Sequence, residues 1–152
     1  MQKIILSKLQ KKILLDHSNK EEPNESCAIL YGNKNGEKNI VKEMWLTENI
    51  DASPVEFTLS NEQLMEMYKK EEELNLKIIG IFHSHPQGEA YPSNTDEKFM
   101  KINQDQYVWV IYSGINKNFK AFNLASEISI EENSLTQKII VFLNVILRKF
   151  HV

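Results

Sequence analysis

A single cysteine, Cys27, stands among 152 residues, which excludes an internal disulfide and any zinc cage built from cysteines alone. That usage fits a reducing, cytoplasmic compartment. Glycine and proline are sparse, at five and four residues, so no collagen-like or low-complexity tract is present. There is no basic excess either. Lys and Arg total 18 against 21 Asp and Glu, a net charge of -3. A protein that grips nucleic acid by neutralising phosphates needs the opposite balance. The longest apolar run, residues 139–147 with Asn144 interrupting it, falls short of the ~20 residues that cross a bilayer. The first residues hold no apolar stretch of signal-peptide length. No nucleic acid, no membrane and no export signal are therefore expected.

What is present is ordinary for a soluble globular chain: 41% hydrophobic and 26% charged residues. A chain of this length buries about 70% of its unfolded surface, enough for one core. No internal repeat or composition shift divides it, so residues 1–152 are read as a single domain.

Local patterns predict the elements. Residues 3–6 form a short apolar strand, and Ser7 with Gln10 makes a capping box for a helix with Leu9, Ile13 and Leu14 on one stripe. Residues 27–31 read as a buried strand, hairpin-paired with 39–46 across the turn at 33–36. Residues 55–58 are a further short strand candidate. Ser60 with Gln63 repeats the capping box and opens a helix to about residue 75, with Glu71, Glu72 and Glu73 on its solvated face. Residues 77–82 form a strand leading into His83. Pro86 and Pro92 bound a loop, after which Ser93 or Thr95 caps a short helix to about residue 103. Residues 107–112 and 119–124 pair as a hairpin, 128–130 form an edge strand, and a last helix covers about 135–149. The order implies an α/β domain, a mixed sheet with helices packed on it. The last helix is apolar beyond one stripe, so it packs on the domain or, as the second reading, makes a homodimer contact.

Chemistry concentrates in His83-Ser84-His85-Pro86 and Ser93-Asn94-Thr95-Asp96. Two histidines at i and i+2 leave a strand on the same face. Two converging imidazoles and a carboxylate, Asp96, suit a divalent metal and leave a fourth position for water. Asp96 also falls in the first turn of a helix, where the dipole favours a carboxylate. Ser84 points to the opposite face and reads as a structural hydroxyl. His17, placed in a loop, and His151 read as ordinary surface groups, and Cys27 as a small buried core residue.

With the stretch Pro23-Asn24-Glu25-Ser26-Cys27 before it, this pattern resembles the JAMM (MPN-plus) zinc metalloproteases. That family's motif is a glutamate on an early strand, then His-Ser/Thr-His, seven residues, Ser, two residues and Asp. All five positions match without a departure in spacing. Ala28 stands where many relatives carry glycine, a change that touches packing more than chemistry. The resemblance implies an MPN domain, a cytidine-deaminase-like layered fold with a mixed curved sheet flanked by helices. It implies one zinc ion held by His83, His85 and Asp96. Glu25 is implied as the general base and Ser93 as the donor to the oxyanion. It further implies an isopeptidase or peptidase acting after the C-terminal tail of a ubiquitin-like protein, of the compact stand-alone prokaryotic type. Processing of a sulfur-carrier protein and a non-catalytic scaffold are the competing readings. Cytidine deamination itself is excluded, because it needs a Pro-Cys-x-x-Cys segment.

Overall fold

Each described helix starts on a serine followed three residues later by Gln or Asp. Ser7 and Gln10, Ser60 and Gln63, and Ser93 and Asp96 exchange side-chain and backbone hydrogen bonds reciprocally. Each box satisfies two N–H groups that a helix start leaves without partners. Ser93 rather than Thr95 is the third cap. The computed structural model describes residues 1–104, 106–124 and 126–133.

Along the chain these are β1 (Lys3–Leu6), α1 (Lys8–Glu21), β2 (Cys27–Asn35), β3 (Lys38–Thr47), α2 (Asn61–Leu74), β4 (Lys77–His85), α3 (Asn94–Ile102), β5 (Val108–Ser113), β6 (Asn118–Phe122) and β7 (Glu127–Glu132). The expected mixed α/β architecture is present. The sheet runs β1-β3-β2-β4-β5-β6-β7 and closes into a barrel. β4 and β5 pair in parallel, as do β1 and β3, while β2 runs antiparallel to β3 and β4.

Three expectations are corrected. The strand at 128–130 is not an edge: β7 pairs with β6 on one side and with β1, in parallel, on the other. Residues 55–58 form no strand, because side chains occupy their backbone groups. Asn49 Nδ2 donates to the Glu56 carbonyl at 2.7 Å, and the Thr58 N–H donates to Asn49 Oδ1 at 3.2 Å. His17 lies on α1 rather than in a loop, buried, with Nε2 3.0 Å from the Cys27 carbonyl. The helix read at 135–149, and with it the homodimer contact, lies outside the described residues.

The closed sheet has two apolar faces. Leu30, Val41, Phe82, Val110 and Ala121 meet inside, joined by Leu14 of α1. Outside, Ile29 and Tyr31 pack against Met67 of α2, while Trp109 and Ile111 pack against Met100 of α3. Between Tyr31 and Gly32 the register with β3 shifts, and a Cβ at Gly32 would lie 1.8 Å from the Ile40 carbonyl oxygen. Only glycine admits that approach. Along β4, Phe82 joins the inner cluster and Ile81 the outer ones. Strand alternation then turns His83 and His85 outward, toward α3.

Candidate metal centre

The last turn of β4 and the first turn of α3 bring three groups together. His83 Nε2 and His85 Nε2 are 3.0 Å apart. Asp96 Oδ2 stands 3.0 Å from the first and 3.2 Å from the second. Four ligands about 2.0 Å from a tetrahedral zinc stand about 3.3 Å from one another, so these three atoms already have the edge lengths of such a site. The donor set, two imidazole nitrogens and one carboxylate oxygen, also suits zinc.

The capping box aims the carboxylate. Ser93 N–H donates to Asp96 Oδ2 at 2.9 Å, and Asp96 N–H donates to Ser93 Oγ at 3.1 Å. The same N3 position that starts α3 therefore fixes the oxygen between the histidines. Burial pushes the Asp96 carboxyl up, but hydrogen bonds to His83 and His85 override it and hold the group far below the usual carboxylate range. Burial drives His83 toward its neutral form. Burial also opposes a proton on His85, yet the bonds to Asp96 and to the Glu89 carbonyl raise it overall. A divalent cation held by these atoms would displace a proton from the histidine nitrogens that face Asp96.

Glu25 approaches both histidines from the entry to β2. One carboxylate oxygen and the two histidine nitrogens lie within 4.8 Å of one another. Its backbone is fixed on both sides: its N–H donates to the Ser53 carbonyl at 2.8 Å, and its own carbonyl accepts Asn49 Nδ2 at 3.1 Å. The next N–H, of Ser26, donates to Ser84 Oγ at 2.9 Å. Ser84 thus has the structural role read from its place between the histidines, tying the start of β2 to β4. Glu25 is only 4% exposed. Burial pushes its carboxyl up to about 8; His85 opposes the rise, and the negative Asp96 and Glu56 add to it.

Other residues at the site carry no sequence signal of their own. The Phe57 ring lies 5.1 Å and the Trp109 ring 5.8 Å from the His83 ring. Asn49, buried, binds the main chain of Glu25, Glu56 and Thr58 at once and folds residues 51–58 over the site. Asparagine five residues before a proline could have flagged such a loop, but nothing in the spacing linked it to the histidines. Cys27 is fully buried, and burial pushes its thiol up to about 12. That makes it a core residue rather than a reactive thiolate.

The chain is similar to known proteins over most of its length. Residues 8–125 match the family described as prokaryotic homologs of the JAB domain. The chain is 31% identical over 108 residues to a desampylase of Pyrococcus furiosus, covering 71% of this chain and 72% of the relative. It is 29% identical over 97 residues to a CysO-cysteine peptidase of Mycobacterium bovis, covering 64% of this chain and 65% of that one. A solution structure of a Desulfitobacterium hafniense protein superposes with a TM-score of 0.75 at 26% identity, over 86% of this chain and 93% of the other. A JAB1/MPN domain protein from Archaeoglobus fulgidus shares the fold, with a TM-score of 0.57 at 20% identity, over 88% and 100% of the two chains. The chain belongs to the prokaryotic homologs of the JAB domain and is a JAMM-type hydrolase.

Proposed function

We propose that the chain is a zinc-dependent isopeptidase or peptidase that cleaves after the C-terminal tail of a ubiquitin-like protein. The observation that carries this reading is the convergence of His83, His85 and Asp96 at 3.0–3.2 Å, with the buried Glu25 within 4.8 Å of both histidines. In it, His83, His85 and Asp96 hold the zinc. The bound ion supplies Lewis acidity, polarising the scissile carbonyl and making water a nucleophile near neutral pH.

Glu25 takes the proton of the attacking water and passes it to the leaving amine. Without metal, burial holds this carboxyl at about 8. The positive charge of a bound cation would lower it toward the ionised form that accepts a proton, while burial keeps it able to return one. Ser93 stabilises the tetrahedral oxyanion. Its Oγ already accepts the Asp96 N–H, so its own proton is left for the substrate; an oxyanion donor of this kind is worth about 3 kcal/mol.

The modifier tail lies extended beside residues 55–59 and 87–91, which flank the cleft. The relative named CysO-cysteine peptidase favours a second substrate for the same groups, a sulfur-carrier protein of the ubiquitin-like class. This reading takes the chain as one domain in a reducing cytoplasm, in keeping with the buried thiol of Cys27. No described helix is long and apolar enough to cross a membrane.

The test is cleavage by the zinc-loaded protein of two substrates side by side: a ubiquitin-like protein joined through its tail to a lysine amine, and a sulfur-carrier precursor. Cleavage of the lysine-linked conjugate is the expected result. Cleavage of the precursor alone moves the assignment to sulfur-carrier processing. A folded chain that binds zinc and cuts neither, or that binds no zinc, points to the scaffold.

A further inference from the structure

The two histidines of the site are oriented by different means. His83 is fully buried, and its Nδ1 has no hydrogen-bond partner among the described residues. Packing against Phe57 and Trp109 sets its ring. His85 is the more exposed of the two, and its Nδ1 lies 2.8 Å from the Glu89 carbonyl oxygen. A carbonyl only accepts, so Nδ1 carries a proton in this contact, and Nε2 is the nitrogen left to ligate a metal.

The Glu89 carbonyl is placed by a loop that rests on the end of β5. The Ser113 hydroxyl, fully buried, donates to the Gly88 carbonyl at 2.7 Å and accepts the Asn116 N–H at 3.0 Å. The Gly114 N–H donates to the His85 carbonyl at 2.9 Å. A Cβ at Gly114 would lie 2.1 Å from the Pro86 carbonyl oxygen, so the loop sits directly against a backbone with no side chain. Ser113 is also the register partner of His85 across the parallel β4–β5 pair.

We propose that Ser113, with Gly114, is a positioning residue for the metal centre: it seats residues 86–89 so that the Glu89 carbonyl fixes the tautomer and ring angle of His85. Ser113 touches neither substrate nor metal and lies outside the histidine–aspartate motif. The proposal rests on the reading of His85 as a zinc ligand. Partners of this kind, bonded to the far nitrogen of a ligating histidine, typically change metal affinity by about 10- to 100-fold.

The experiment measures zinc affinity of the full chain by competition with a chromophoric chelator, with the melting temperature recorded for each variant. Ser113→Ala is expected to weaken zinc binding by about 10-fold or more, and Gly114→Ala by at least as much. Ser113→Thr, which keeps the hydroxyl, is expected to restore affinity. A second readout is spectroscopic: ¹⁵N shifts of His85 in the zinc-loaded protein should show a protonated Nδ1 and a ligating Nε2 in the parent, and a mixture of ligating nitrogens in Ser113→Ala. Parental zinc affinity in Ser113→Ala, or a ligating Nδ1 in the parent, overturns the proposal while leaving the proposed function standing. A parent that binds no zinc overturns both.

Discussion

The two halves of the site are built in opposite ways. His83, His85 and Asp96 come from one continuous stretch, 83–96, in which strand alternation faces the histidines together and a helix-capping box aims the carboxylate. Glu25 comes from another part of the chain. It is held by main-chain bonds to Ser53 and Asn49 and by the Ser26–Ser84 link between β2 and β4. The first half is local geometry, set once β4 and α3 form. The second exists only after β2 and β4 have paired, with Cys27 opposite His83. Holding the metal and moving the proton should therefore be separable by mutation.

The largest effect tests the local half. Asp96→Ala removes one of three converging atoms and half of a capping box, and hydrolysis should fall by about 10⁴-fold or more, to background. Assay of the purified variant in excess zinc checks this. Glu25→Gln tests the distant half: kcat should fall by about 10² to 10⁴-fold with the fold intact. Activity within a few-fold of the parent would break the division of labour just drawn.

A smaller effect follows from the burial of Glu25. Its pKa in the metal-free fold is about 8 against an ordinary 4.5, so the fold favours the protonated form. That stabilisation is fully present below pH 4.5 and is lost as pH rises through about 8. Metal-free parent should lose about 4–5 kcal/mol across this window through Glu25. Glu25→Gln, which has no proton to lose, should melt higher than the parent at pH 8.5 and alike at pH 4. Thermal melts at the two pH values decide it.

The smallest effect concerns the link between the halves. Ser84→Ala leaves the buried Ser26 N–H without its acceptor and should cost about 1–3 kcal/mol of stability. Zinc affinity should remain at the parent value while kcat drops several-fold as Glu25 loosens. Parental kcat in this variant would show that β2 holds Glu25 without help from β4.

The same contrast governs what the sequence made legible. The capping boxes at Ser7 and Ser60 depend on residues three apart, and both helix starts fall where expected, whereas for α3 the sequence left Ser93 and Thr95 open and Ser93 is the cap. The convergence of His83, His85 and Asp96 was readable for the same reason, through strand and helix periods. Glu25, among many glutamates, was singled out only by family resemblance, since its burial depends on strand pairing that no local window contains. Barrel closure escaped for that reason too: β7 meets β1 from the far end of the chain. Residues 55–58 had strand-like composition, but the buried Asn49 took their backbone groups. The seat of the loop at Ser113 and Gly114 likewise depends on the parallel β4–β5 register.

Glu25 lies close enough to both histidines to serve as a ligand itself, so zinc stoichiometry separates the two roles most directly. Metal content should be measured by mass spectrometry for the parent, Glu25→Gln and Asp96→Ala after dialysis against zinc. The account predicts one zinc per chain in the parent and in Glu25→Gln, and none in Asp96→Ala. Loss of zinc from Glu25→Gln with retention in Asp96→Ala would contradict it, making Glu25 the ligand and leaving the proton without its carrier.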